Sequence, residues 1–365
     1  MLQVSEEVRR ALKTNQRGDV RCSAFYLGAV TAAGVRLDTS GSIKFDGSGE
    51  IQAQGTVRAL GSSGSLVPRS MTAPLATYGQ ELAIWRTVII GEQSWDIPLG
   101  RYPIQRAYDS AEHHEVYGTR SIVTSWEVNL KLADRFESMR ADDFQNVESP
   151  VPGASAYQEL RRLCPVPVQE SLLDRAVPLG TAYGSRIDAI TTLCAILGGV
   201  PHLTREGVLR PRLADGWLTV TDPVFDINGV IEWADDMSND FVNQVQVRSS
   251  SNNDLVAFRS ITDNSNPRSV ARAGGRTHKA SSPIYETQAA VDAAADTMLA
   301  RLSSGRSRVI EVVCGPEAIL LELGDVGWIR DPRTGRDALG EVAGMDIPLD
   351  PLAGVSVSLI VAEEA

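Results

Sequence analysis

The steadiest alternation of apolar and polar positions runs from Tyr78 to Ile104. Leu82 and Ile84 alternate with Glu81, Ala83 and Trp85, an apolar run continues from Val88 to Ile90, and the chain then meets Gly91-Glu92-Gln93-Ser94. Beyond that turn, Trp95, Ile97 and Leu99 again occupy every second position. A period of two marks a strand with one buried face, so this stretch predicts a β-hairpin. Pro98 offers no ladder donor, which puts the second arm at a sheet edge there.

The same period recurs along the chain. Asp19 to Leu27 reads as a strand, and Gly41 to Leu60 as two strands around Asp46-Gly47-Ser48-Gly49, a turn built from residues that accept positive φ. Ser121 to Asp134 predicts a long strand, and Phe241 to Arg248 another with Val245 and Val247 inward. His202 to Leu213 forms a strand pair about Arg205-Glu206-Gly207. Arg308–Cys314, Leu323–Ile329 and Gly354–Val361 close the set, with Ile347-Pro348-Leu349 leading into the last.

Helical spacing appears between the strands. Ser5 caps a short helix carrying Val8 and Leu12 that ends near Gly18. Ser155 and Gln158 form a capping box ahead of Leu160 and Leu163, and Pro165 forbids continuation. Ser185 opens a helix striped by Ile187, Ile190, Leu193, Cys194 and Leu197, stopped by Gly198-Gly199. Thr287 caps a helix with Val291, Ala295, Met298 and Leu302 on one face, ending at Gly305. The Pro-rich run Glu148 to Gly153 marks a boundary, and Gly61 to Ser70 reads as a mobile loop whose Leu66-Val67-Pro68-Arg69 matches a thrombin site by chance. Ser249–Asn253 and Asn264–Thr277 read as polar surface loops.

Composition narrows the classes. A chain of 365 residues, 43% hydrophobic and 22% charged, buries about 75% of its unfolded surface and needs no staples. A net charge of -11 without a long Lys or Arg run argues against specific nucleic-acid binding, because that affinity comes from clustered cations on phosphates. No apolar stretch is long enough for a membrane span, and the first residues lack the basic start and apolar region of a secretory leader, so assembly in the cytoplasm is expected. Cys22, Cys164, Cys194 and Cys314 stand far apart in apolar runs and read as buried free thiols.

Candidate chemistry is sparse. Glu112-His113-His114-Glu115 is a compact cluster, but consecutive residues diverge on a strand or a helix and cannot close a tetrahedral site alone, so it reads as a solvated loop. Asp142-Asp143 and Asp235-Asp236 read as solvated pairs, and His202 and His278 are isolated. Trp126, Trp217, Trp233 and Trp328 lie in strand-like surroundings and read as core, with a sugar-stacking platform as the sharper alternative. No catalytic, cofactor-binding or metal-ligating residue is assigned, and no enzyme activity is expected.

Several of these features stand in an order that resembles the minor tail proteins of long-tailed phages, which are similar to the central hub of phage baseplates and tail tips. The resemblance rests on Pro74, on Tyr78-Gly79-x-Glu81-Leu82-x-Ile84 and on Ile97-Pro98-Leu99-Gly100-x-Tyr102-x-Ile104. It extends to the helix, Gly198-Gly199, strand, turn, strand unit, to Asn243, and to the final helix followed by strands about Gly324-Asp325-Val326.

What the resemblance implies is an α+β, mainly β chain with two β-barrel or sandwich-like hub domains and a small helix-containing middle domain. The divisions would be 1–147, 148–230 and 231–365, with the middle domain open to being an insertion whose strands return to the first barrel. It further implies a homotrimer at the virion tail tip, touching the distal tail protein ring, the tape-measure protein and distal tip or receptor-binding proteins around a channel for DNA. The alternatives are a tail-associated cell-wall hydrolase and a carbohydrate-binding receptor-recognition module.

Overall fold

The computed structural model describes residues 1–13, 18–62, 64–213, 223–228, 230–235, 242–252, 254–282, 285–303, 308–333 and 335–361. Helix α1 (Glu6–Lys13) opens the chain and buries Val8, Ala11 and Leu12. Strands β1 (Gly18–Tyr26), β2 (Ala29–Ala32), β3 (Arg36–Leu37), β4 (Ser42–Asp46), β5 (Ala53–Gly61), β6 (Gln80–Ile90), β7 (Gln93–Tyr117) and β8 (Arg120–Ala133) follow. The middle holds α2 (Arg135–Ala141), α3 (Ala156–Leu163), α4 (Arg186–Ile196) and the short pair β9 (Gly199–Val200) and β10 (Arg212–Leu213). Then come β11 (Phe225–Ile227), β12 (Val230–Asp235), β13 (Gln244–Ser249), β14 (Val256–Ser260), α5 (Val270–Ala273), β15 (Thr277–Ser282) and α6 (Gln288–Ser303). Strands β16 (Arg308–Cys314), β17 (Val326–Asp331), β18 (Arg336–Pro348) and β19 (Val355–Val361) end the series.

With 44% strand and 18% helix, the molecule is mainly β. Among the described residues one sheet holds fourteen strands, ordered β12-β16-β19-β18-β4-β5-β8-β7-β6-β1-β2, with β3 on β5, β17 on β18 and β11 on β17. Almost every pairing is antiparallel; β11 with β17 is a parallel exception. Two physical devices make this one sheet out of distant segments. Strand β7 pairs with β6 up to Pro103 and with β8 from Ile104 onward, so it turns a corner and carries the ladder with it. Strand β4 pairs with β18, setting Ile43 opposite Ile347, and so joins the two ends of the chain.

Of the expected mainly β chain with barrel- or sandwich-like domains, the mainly β character holds, and no closed barrel forms among the described residues. Among the described residues none of the sheets closes; β2 and β12 end the main path of this one, and β3 and β11 end its side branches. The first half curls until Val35, just before β3, donates its N–H to Cys22 O at 2.9 Å, but no ladder joins β3 to β1. Pro98 lies where β7 has β6 on one side only, as its missing donor requires.

Among the described residues three apolar clusters hold the chain. The largest gathers residues from Val8 to Val361 across both ends of the sequence, including Ile43, Leu82, Leu99, Leu130, Val312 and Leu359. Each such side chain contributes roughly 1.5–3 kcal/mol by leaving water. A second packs α2, α3 and α4 through Phe136, Tyr157, Leu160, Ile190 and Leu193. A third seals α6 onto one face of the β14-β13-β15 sheet through Val245, Val247, Ala257, Val291 and Ala295. The capping box at Ser155 and Gln158 forms as the sequence predicts, and Ser185 accepts from Asp188 N at the start of α4. Helix α2, by contrast, was not expected.

Candidate assembly surface

Strand β7 is 25 residues long because its second half leaves the core and pairs with β8 as a two-stranded ribbon. Glu112-His113-His114-Glu115 thus lies in a strand rather than a loop, with a register shift between His113 and His114. The ribbon turns at Gly118, whose φ is 61°, and bares Val116, Tyr117 and Ile122 at 73%, 62% and 51% exposure. A lone hairpin is marginal in water. Here residues 65–69 brace its base: Leu66 and Val67 pack on the main cluster, and Ser65 and Arg69 both donate to the Glu112 carboxylate. The hydrogen bond from Ser65, then Arg69, holds that carboxyl below its usual range.

The brace makes a prediction about Leu66-Val67-Pro68-Arg69. A trypsin-like protease needs this segment lifted from the ribbon before it can cut after Arg69. Glu112→Ala is expected to speed that cut several-fold in limited proteolysis read by mass spectrometry, with the melting temperature unchanged. An unchanged cleavage rate would mean the loop is held by something else.

At the β2 end of the sheet, the β1–β2 turn presents Leu27 at 87% exposure and Val30 at 58%, beside half-exposed Tyr26. Tyr26 lies 3.3 Å from the Cβ position of Gly79, next to exposed Tyr78. From Leu27 to Val35 the chain has no charged residue. Strand β2 pairs only with β1, leaving its outer N–H and C=O groups unpaired among the described strands. An apolar edge with no charge to guard it is a template for another strand.

The candidate chemical groups do not converge. His114 approaches Glu112 at 3.4 Å and Ser121 Oγ at 3.1 Å, and no group of three metal-ligating side chains forms among the described residues. Asp143 accepts from Arg186 N at 3.0 Å and Asp142 pairs with the same arginine at 3.3 Å, a tie between α2 and α4. Trp126 is 4% exposed and packs over Gly61, where a Cβ would meet the indole at 2.5 Å, so it is core. Trp328 lies under the Arg330 guanidinium at 4.7 Å. Trp217, Asp236 and the side chains of Trp233 and Asp235 lie outside the described residues. All four cysteines are buried free thiols; burial pushes Cys194 and Cys314 up to about 12, which removes them as nucleophiles.

A junction that the sequence reading did not single out ties the helical cluster to the large sheet. Arg205, 5% exposed, donates to Pro98 O at 3.0 Å and Leu321 O at 2.6 Å. Arg135 grips both Glu81 oxygens at 2.8 Å, and Arg212 pairs with Glu341 at 2.6 Å. Asp134 caps α2 and accepts from Gln52 N, just before β5, and from Ala53 N at its start; burial pushes its carboxyl up to about 7 against those hydrogen bonds. His202, beside them, is driven to about 3 by burial and stays neutral. The cavity these residues enclose is about 30 Å³, room for about one water and not for a substrate.

No family model and no characterised sequence matches this chain. Solved structures do. A tail protein from Neisseria meningitidis MC58 superposes with a TM-score of 0.55 at 14% identity, covering 95% of this chain and 97% of that one. The 43 kDa tail protein of prophage MuSo2 from Shewanella oneidensis gives 0.55 at 12%, covering 93% and 98%. Prophage tail protein gp18 from Listeria monocytogenes EGD-e gives 0.53 at 11%, covering 93% and 94%. The fold is that of phage tail proteins, as the resemblance implied.

Proposed function

We propose that this chain is a structural subunit of a phage tail tip: a homotrimeric baseplate hub that joins the tail tube to the distal tip and surrounds the path of ejected DNA. The observation that carries the reading is a tail-protein fold matched over nearly the whole length of both chains, combined with a large sheet that ends in the unguarded strand β2. Each half of the sheet would supply one barrel-like wall unit, so three copies present six units to a sixfold tube. The divisions 1–147, 148–230 and 231–365 describe these two units and the helical one between them. The hub would touch the distal tail protein ring, the tape-measure protein and distal tip or receptor-binding proteins, and would act by shape, without catalysis.

Native mass spectrometry of the purified chain, followed by electron microscopy of particles, tests this. Three copies in a ring at the tail end are expected. A monomer that turns over a cell-wall substrate would overturn the reading.

A further inference from the structure

The overall charge conceals a local reversal. Between residues 264 and 282 the chain carries Arg268, Arg272, Arg276 and Lys279 and no acid, a surplus of +4 in a protein of -11. This segment ends in β15, which pairs with β13, whose other neighbour is β14. Helix α6 covers one face of that sheet, and Arg259 confirms the side by pairing with Asp292 and Asp296 of α6. Among the described residues no element packs on the opposite face. Its central row sets Phe258, 52% exposed, beside Gln246 and Lys279, and the next row adds Arg248 and Val256. Arg272 and Arg276 stand exposed just before the start of β15. Among the described residues, Arg248, Arg272 and Lys279 form no ion pair.

We propose that this open face binds single-stranded nucleic acid without regard to base sequence. The inference is independent of the hub reading. An exposed aromatic gives a base a stacking surface, the flanking amide can bond base edges, and the surrounding cations neutralise phosphates. Size favours a narrow polymer over a globular acidic partner. Three strands of about six residues make a face of about 10 by 20 Å, so roughly 200 Å², against about 800 Å² per side in a stable protein interface. A duplex keeps its bases stacked inside and cannot use Phe258.

Fluorescence anisotropy of a labelled oligothymidylate about fifteen nucleotides long, titrated with the full chain, tests this. Saturable binding at low salt is expected, weakening on a log–log salt plot with a slope of about −2 if three phosphates are neutralised. Phe258→Ala is expected to weaken binding about tenfold with that slope retained, because stacking is lost and charge is not. Arg248→Glu with Lys279→Glu should abolish binding; these side chains are exposed, so the melting temperature should stay put. Absence of saturable binding would overturn the proposal. So would equal binding of duplex, or displacement by polyglutamate together with indifference to Phe258→Ala, which would make the face a docking site for an acidic protein.

Discussion

Asp134→Ala is expected to remove about 4 kcal/mol of stability at pH 5.5 and only about 2 kcal/mol at pH 8.5. The carboxylate accepts from Gln52 N at 2.8 Å, Ala53 N at 2.7 Å and Phe136 N at 2.9 Å. Alanine leaves three buried donors without an acceptor, at about 1–3 kcal/mol each before relaxation, and removes the cap of α2. The pH dependence follows from the raised pKa of about 7 against an ordinary 3.8. Between those values the native state holds a proton that the unfolded chain has released. Wild-type stability from this group is therefore full below pH 3.8 and falls as pH rises to 7. From pH 5.5 to 7 that fall is about 2 kcal/mol, and the alanine variant lacks it. Denaturant titrations of both proteins at the two pH values decide the matter. A loss that grows with pH would show that burial does not dominate the carboxyl.

That residue also shows where sequence reading stops. The alternation of Leu82, Ile84, Ile97 and Leu99 is legible because each strand there has one face in the core and one outside. The second half of β7 has solvent on both faces, so Glu112 to Glu115 shows no alternation and reads as a solvated loop. Helix α2 spans only seven residues, about two turns, too few for a period of 3.6 to declare itself. Its signal was Asp134 followed by Phe136 and Met139, both buried. The pairing of β4 with β18 joins segments some three hundred residues apart, and register between such strands is set by the assembled core rather than by either segment. Likewise Arg205 has no local mark that separates it from an exposed arginine; its burial follows from where Pro98 O and Leu321 O come to lie. The cationic face was missed for a different reason, since a net charge summed over the chain averages away a patch made by β13 and β15.

Val30→Lys is expected to raise the dissociation constant of the assembled ring at least a hundredfold, about 3 kcal/mol per contact. Under the hub reading, β2 receives a strand from the neighbouring subunit. Val30 lies in the middle of β2, 58% exposed, with Leu27 at 87% beside it. Covering these side chains contributes roughly 1–2 kcal/mol each from the area they still show to water, and the ladder adds about 1 kcal/mol per hydrogen bond. A lysine at this position keeps its charge in water only by holding the incoming strand away, which is how natural sheets guard their edges. Because Val30 contacts solvent in the single chain, the variant should melt at the wild-type temperature when dilute. Sedimentation velocity across a concentration series separates the effects. Assembly lost with folding intact identifies β2 as the contact, whereas assembly at wild-type concentrations would move the contact elsewhere. The exposed ribbon tip is then the next place to test, and Ile122→Lys is the matching substitution because Ile122 is also open to solvent in the single chain.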